Sequence, residues 1–482
     1  MKIPLKFRVF FCMISSFFTE QTISNNTSNT LKTIPYHIPM KNFFFITIFL
    51  VISGISYAQT QPLSLRQAIA QALERNPQVQ NVALNQRKSG FLVKEQKSIA
   101  LPQISASISY EDNLKLATQL LPGELMGQPG RQIPVQFGTK YNISTGIELH
   151  QMVYNQAYWA GLKAIKKVGE LDQLQIAQTK EDLAFQVAQA YYVAQITGKQ
   201  REILTSNILK INKIITITEA QYKNGLVQKN DLDRLHVSQT NLQTEVENLE
   251  TVFQQQLNML KYLTATSFEQ NVVLIDSIQS LGISTKIGEQ PNFQNRISMR
   301  LLNNEKEMEA LQIKVVQAGY YPSIGAYARY NYQAQRNEWN FFDRNQSWFD
   351  FSSVGLRVNI PIFDGFQKTN KIQQHKTRLE QINLRGIIQQ GYLQMEHLNS
   401  ANKLRNQESI IKKQNANVQL AETVYQTTQT QYQGGVTSLA DLLNAETSLR
   451  EAQTNYFTTL VQAKIAELEY IKSNGNLLEI LN

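Results

Sequence analysis

The sequence predicts a mostly α-helical chain with a smaller membrane β part, laid out as an internal twofold repeat. Three observations predict it. First, Gln221-Tyr222-Lys223-Asn224-Gly225 followed by Asp231-Leu232 reappears 210 residues later as Gln431-Tyr432-Gln433-Gly434-Gly435 followed by Asp441-Leu442. One offset matches every position, and so long a period marks a duplicated half rather than a solenoid unit. Second, no proline stands between Pro134 and Pro291, and none follows Pro361. Two long tracts are therefore open to unbroken helices. Third, four segments alternate polar and apolar residues over about ten positions, near the length a tilted strand needs to cross a bilayer.

The elements follow in order. Residues 1–58 form a leader. Met40-Lys41 opens a short basic region, an apolar run extends from Phe43 to Ile52, and Ser56-Tyr57-Ala58 places small residues at a cleavage site. Residues 40–58 read as a secretory signal peptide, its apolar run being too short for a membrane anchor, and residues 1–39 as lying upstream of the true start. Cys12, the sole cysteine, falls in that segment. A mature chain from Gln59 then has no disulfide, no thiol nucleophile and no thiolate metal site. Of the formal net charge of +9, +4 sits in residues 1–58. The rest is too dispersed for a nucleic-acid partner.

The first repeat covers 59–270. Leu65, Ala68, Ile69 and Leu73 fall at helical spacing and predict a helix over 63–100, ended by Pro102. A strand pair follows at about 102–153 around a polar loop, 112–139. In it, Ile104, Ala106, Ile108 and Tyr110 alternate with serines, while Tyr141, Ile143, Ile147 and Leu149 alternate with Asn142, Ser144, Gly146, Glu148 and His150. A long helix is expected from Asn155 to Tyr222, then a turn at Gly225 and a second helix from Asp231 to Leu263. Residues 264–290 form an insert rich in Ser, Gly and Ile. The second repeat, 291–482, goes through the same sequence of elements. Helix resumes near Asn292, a strand pair occupies about 322–362 around a polar loop 333–349, and a helical hairpin from Asp364 to Ser473 turns near Gly435. Each long helix spans roughly 100 Å at 1.5 Å per residue. The shorter helices add up in pairs to about that length, so each half supplies two helical columns and two strands.

Four strands cannot close a barrel, and an open sheet edge is not tolerated in lipid. Two copies would make eight strands with a filled interior, and three would make twelve, enough for a channel. The polar positions Glu148, His150, Arg329 and Arg357 suit a wet lumen, which favours three.

These residues resemble a known family, the TolC-like outer membrane factors of Gram-negative bacteria. The resemblance covers nearly the whole mature chain. It rests on the two-half organisation, on Leu101-Pro102 and its echo Tyr321-Pro322, on Asn359-Ile360-Pro361-Ile362-Phe363-Asp364-Gly365, and most specifically on Gln431-Tyr432-x-x-Gly435-x-x-x-x-x-Asp441-Leu442-Leu443. It implies a homotrimer with a twelve-stranded outer-membrane β-barrel continuous with a long periplasmic α-helical barrel, and an equatorial belt containing 264–290. It also implies a function. The chain would be the exit duct of a tripartite efflux or type I secretion system, a passive channel rather than an enzyme, with no cofactor. A periplasmic adaptor (membrane fusion) protein would open it, and an inner-membrane transporter of RND, ABC or MFS type would drive it.

The resemblance also assigns residues. Asp441, with Asn444 where the family often has a second acid, would form the channel constriction. Tyr432 would tie the inner hairpin to the outer one, with Asp231 as its partner; the basic residue expected after the second tip glycine is replaced by Thr437. The adaptor would dock on the hairpin tips at Gly225, Leu226, Gly435, Val436 and Leu442. Both glycines are also ordinary helix-ending caps, and both aspartates also suit a helix first turn. Aromatic residues around the second loop, Tyr327, Tyr330, Tyr332, Trp339, Phe341, Phe342, Trp348 and Phe351, suggest a membrane-interface girdle. His150, His236, His375 and His397 are scattered, without metal-ligand spacing. Two other readings are weaker: a soluble periplasmic coiled-coil adaptor leaves the paired alternating strands unexplained, and a secreted hydrolase has no supporting constellation of residues.

Overall fold

A pair of helices of 68 and 67 residues dominates the chain, each leading into a shorter antiparallel partner. The computed structural model describes residues 61–123, 127, 130–276 and 291–481. The expected leader, and residues 277–290 of the expected insert, lie outside the described residues.

The chain opens with β1 (Gln61–Leu63), α1 (Leu65–Arg75) and α2 (Pro77–Ser98). The single helix expected over 63–100 is thus broken at Asn76. Proline disfavours helical geometry in the residue before it, and Asn76 is extended at ψ 125°. Its Oδ1 then caps α2 by accepting from the Gln78 amide at 2.8 Å, and its Nδ2 donates to the Leu263 carbonyl at 2.8 Å. The break therefore anchors the junction of the two helices to the end of a third.

Next come β2 (Gln103–Asp112), β3 (Thr118–Pro122), β4 (Gln132–Gln136) and β5 (Tyr141–Asn155). The loop expected over 112–139 contains the β3–β4 hairpin. Then follow α3 (Gln156–Lys223), α4 (Lys229–Leu263), β6 (Val272–Leu274), a 3-10 turn (Phe293–Asn295), α5 (Ile297–Ala318), β7 (Ser323–Arg336) and β8 (Phe349–Asn359). Last are α6 (Gln367–Gln433), α7 (Leu439–Asn474) and α8 (Leu477–Leu481). Asn155, the last residue of β5, caps α3 directly by accepting from the Ala157 and Tyr158 amides, so strand passes into helix without a linker.

β2, β5, β7 and β8 form one antiparallel sheet in that order, leaving β2 and β8 as its edges. Register decides the faces. Glu148 lies opposite both Ser105 and Arg329, and Arg329 opposite Ser353. The polar set of every strand therefore shares one face and the apolar set the other. Away from its loop end the apolar face is bare: Ile108 is 76% exposed and Val354 83%. Among the described residues no helix is long and apolar enough to cross a membrane.

The helices pack as two hairpins, α3 against α4 and α6 against α7, with α2 and α5 also against α3 and α5 against α6. Where α1, α4 and α7 end beside the middle of α3, Ile69, Ala184, Ala188, Tyr191, Leu260 and Ile471 form a dry cluster. Alanines fully buried there let the helix axes approach closely. β1 and β6 pair in parallel beside it, fastened by the Tyr191 hydroxyl donating to the Leu63 carbonyl at 2.9 Å. Nearer the hairpin tips, Leu204, Ile211, Leu235, Tyr425 and Leu449 form a second cluster.

Candidate functional site

The two hairpin turns are built alike. At the first, the Leu226 amide donates to the Gln221 carbonyl at 2.9 Å and the Gly225 amide to the Tyr222 carbonyl at 2.9 Å. At the second, Val436 donates to Gln431 at 2.8 Å and Gly435 to Tyr432 at 3.0 Å. Both are Schellman caps, which need a left-handed residue at the glycine position. Gly225 and Gly435 each have φ 73°. In such caps the following residue often packs back on the last helical turn. Here the residue it would meet is glutamine in both halves, and Leu226 and Val436 stand 73% and 77% exposed.

The turns differ after the cap. The Ser438 hydroxyl and the Thr437 hydroxyl donate to the Asp441 carboxylate at 2.6 and 3.0 Å, and the Asp441 amide donates back to the Ser438 hydroxyl at 3.2 Å. This is a capping box with an aspartate in its reciprocal position. Those hydrogen bonds, Ser438 first, hold the exposed Asp441 carboxyl below the usual carboxylate range. Thr437 thus occupies the place where a base was expected, and supplies a neutral donor. Asn444 is exposed one turn further on. The first tip has no equivalent box. Gln228 makes no side-chain cap, and half-buried Asp231 sits in the first turn of α4.

Two expectations at the tips need correction. The Tyr432 hydroxyl is joined to the Thr218 hydroxyl of α3, at 3.1 Å in a buried setting, and Thr218 replaces the expected Asp231. Helix phase explains this: Tyr432 faces the flank of α3, whereas Asp231 lies beyond the turn on α4. Leu442, expected on the docking surface, is 1% exposed and belongs to the core between the hairpins. It lies on the apolar stripe of α7 with Leu439, Ala445 and Leu449.

A seam of polar contacts joins the two hairpins, and most of it was not anticipated. Asn207 of α3 donates to Gln453 of α7 at 3.0 Å, and Lys210 pairs with Glu422 at 3.5 Å. Arg450 of α7 reaches Glu245 of α4 at 3.4 Å and lies 3.8 Å from Glu446. Glu446 is buried. Its burial pushes the carboxyl up, against the opposing pull of Arg450 and a hydrogen bond from Ser238. The sequence carried a signal for it, an i,i+4 acid–base pair set inside the stripe of Leu442, Ala445 and Leu449.

The sheet is the second locus. Glu148, His150, Arg329 and Arg357 share its polar face. His150 Nε2 lies 3.0 Å from Glu148 Oε1, Arg329 Nε donates to Ser353 Oγ at 2.7 Å, and the Arg357 guanidinium sits 5.6 Å from the Tyr327 ring centre. The aromatic residues divide between the faces. Tyr327 and Phe351 are on the polar side with the arginines. On the opposite side Tyr332 stacks on Trp348, and Trp339 meets Tyr110, Tyr141 and Phe341 edge to face, so the second loop folds over the apolar face.

Comparison with known proteins covers both halves. Residues 68–266 and 294–476 match the family model described as outer membrane efflux protein. The chain is 19% identical over 426 residues to the outer membrane protein TolC of Vibrio cholerae serotype O1, covering 86% of this chain and 91% of that one. In fold it is similar to the outer membrane protein VceC of Vibrio cholerae, with a TM-score of 0.64 at 17% identity over 85% of this chain and 96% of that one. It is also similar to the CmeC outer membrane channel of Campylobacter jejuni, with a TM-score of 0.66 at 13% identity over 93% of this chain and 94% of that one.

Proposed function

The chain belongs to the outer membrane efflux protein family, as an outer-membrane channel with a TolC-like fold and a large periplasmic part, and from that premise we propose that it is the passive exit duct of a tripartite machine. Three copies join β8 of one to β2 of the next and close a twelve-stranded barrel. Their hairpins close a periplasmic tunnel beneath it. The observation that carries this reading is the four-stranded sheet itself, with two open edges, one polar face and one bare apolar face. In isolation such a sheet exposes unpaired backbone and apolar surface to the same solvent. Closed in lipid, every edge is paired and each face meets a medium of its own polarity.

Function then divides between the ends. Glu148, His150, Arg329 and Arg357 line the barrel lumen. At the periplasmic end Asp441 and Asn444 recur three times around the axis as the constriction, and the Tyr432–Thr218 bond holds the second hairpin to the first. A periplasmic adaptor docks on the turns at Gly225 and Gly435, where Leu226 and Val436 offer apolar contacts. An inner-membrane transporter of RND, ABC or MFS type supplies the energy, in efflux or in type I secretion. The duct needs no catalysis and no cofactor of its own.

Single-channel conductance in a planar lipid bilayer tests this. The native chain should give small, stable steps, and Asp441→Ala should enlarge them or weaken block by divalent cations. Ser438→Ala separates charge from capping, because it removes a cap worth about 1 kcal/mol yet leaves the carboxylate in place. Enlarged steps in Ser438→Ala with no further gain in Asp441→Ala would remove the constriction role. A folded chain that never inserts would remove the duct.

A further inference from the structure

The polar face of the sheet has a depression where strands give way to helices. Its floor is Gly325 of β7, paired with Met152 on one side and Arg357 on the other. A Cβ at Gly325 would meet only the Gln151 carbonyl oxygen, at 3.7 Å, so the space above the floor is open. A cavity of about 270 Å³ results, walled by His150, Met152, Tyr327, Arg357 and Asn359. It adjoins Asn155, where β5 becomes α3, so it lies at the mouth between barrel and tunnel.

The charges around it do not cancel. Glu148 is engaged by His150 at 3.0 Å and lies directly across the ladder from Arg329. Arg329 also donates to Ser353 and lies 5.9 Å from the Phe351 ring centre. Among the described residues neither arginine forms an ion pair, but Arg357 differs in having no carboxylate across the ladder, since it lies opposite Gly325. It rests on the Tyr327 ring, which in turn covers Gly355 so closely that a Cβ there would meet the ring at 2.7 Å. Cation–π attraction holds the exposed guanidinium near the ring and leaves its N–H groups open to a ligand. A guanidinium edge suits an oxyanion that offers two oxygens side by side, as carboxylate, sulfonate and phosphate do. Met152 and Tyr327 supply an apolar wall beside it, and the volume suits a body of one or two rings.

We propose that each chain carries at this mouth a transit site for an aromatic anion, with Arg357 binding the carboxylate, sulfonate or phosphate group and Tyr327 and Met152 flanking the ring. This rests on the reading of the polar face as the lumen. A duct has no need of tight binding, so the site would hold a passing anion briefly and concentrate such molecules at the barrel entrance.

The experiment uses the full chain with Cys12→Ser, reconstituted in a planar bilayer, with 1-naphthalenesulfonate as probe. Gly325→Cys is first labelled with a charged, membrane-impermeant thiol reagent. A change in current is expected, and none would put Gly325 outside the pore, overturning both the lumen reading and the site. In the unlabelled channel the sulfonate should cause brief, concentration-dependent interruptions. Arg357→Gln should shorten them at least tenfold, Arg357→Lys should do so less, and Gly325→Leu should abolish them. Naphthalene methanol, neutral and of similar size, should give none. If labelling alters the current but the sulfonate passes without interruption, the transit site alone is overturned. So it is if interruptions are unchanged in Arg357→Gln, or if that variant shifts only the preference for chloride over potassium.

Discussion

Gly225 and Gly435 share a backbone state that other residues enter only at a cost. At φ 73°, with nothing within 4 Å of where a Cβ would stand at either site, the penalty for a side chain is one of backbone geometry alone. Left-handed geometry costs an L-residue roughly 1–2 kcal/mol, and the reduced freedom of the unfolded chain returns about 0.4–1 kcal/mol. Gly225→Ala and Gly435→Ala should each destabilise the folded chain by about 1 kcal/mol, and Asn at either position by less. Gly90, in α2 without positive φ and with open space around it, should respond in the opposite sense, since alanine favours helix by about 0.5–1 kcal/mol. Thermal midpoints of the three alanine variants in one detergent check this; equal shifts in one direction would refute the cap argument. These glycines were legible from sequence because a cap is local. Leu226 and Val436 were legible as tip residues for the same reason. Thr218 as the partner of Tyr432 was not, since the pair is separated by 214 positions and depends on the phase of two long helices.

Among the elements, the seam between hairpins joins the two halves through polar contacts as well as apolar ones. Glu446 and Arg450 on α7 face Ser238 and Glu245 on α4, while Tyr425 and Glu422 on α6 and Lys210 on α3 stand nearby. Burial raises the Glu446 pKa above its ordinary value, so the packed seam favours the protonated acid. That contribution is fully present below about pH 4.5, the ordinary glutamate range, and is lost as pH rises through the raised value. The packing of the two hairpins against each other should therefore be firmer in acid. Asp441 acts oppositely: its lowered pKa gives a contribution present above the ordinary aspartate range and lost as pH falls through the lowered value. Channel steps recorded from pH 4.5 to 7.5 should grow with pH, and Glu446→Gln should flatten most of that rise. A rise that persists unchanged in Glu446→Gln would exclude the seam as its source. The helices themselves were readable from their apolar spacing and lack of proline, and the break at Asn76 was marked by Pro77. The β3–β4 hairpin was missed because each strand is five residues long and contains a proline.

For the whole molecule, the sheet poses a question of solvent that no single chain answers. All ten residues of β2 are exposed in one copy, polar Ser105, Ser107 and Ser109 as fully as apolar Ile104 and Ile108. The sequence displayed that alternation, and with it the shared polar face of Glu148, His150, Arg329 and Arg357. It did not display the cavity at Gly325, which exists only because three strands hold a particular register. If lipid covers the apolar face and water fills the other, adjacent positions on β2 should respond in opposite ways to one substitution. Ile108 lies toward the middle of the strand, where arginine on the lipid face costs a membrane barrel about 2–4 kcal/mol. Ile108→Arg should therefore deplete assembled oligomer in the outer-membrane fraction by at least tenfold, since about 1.4 kcal/mol is a factor of ten. Ser107→Arg, one residue away, should leave assembly near normal and change conductance, because its charge enters the lumen. Equal loss of assembly in both would mean that β2 has no lipid side and that the barrel closes in some other way. Equal tolerance would mean that the apolar face is covered by protein rather than by lipid.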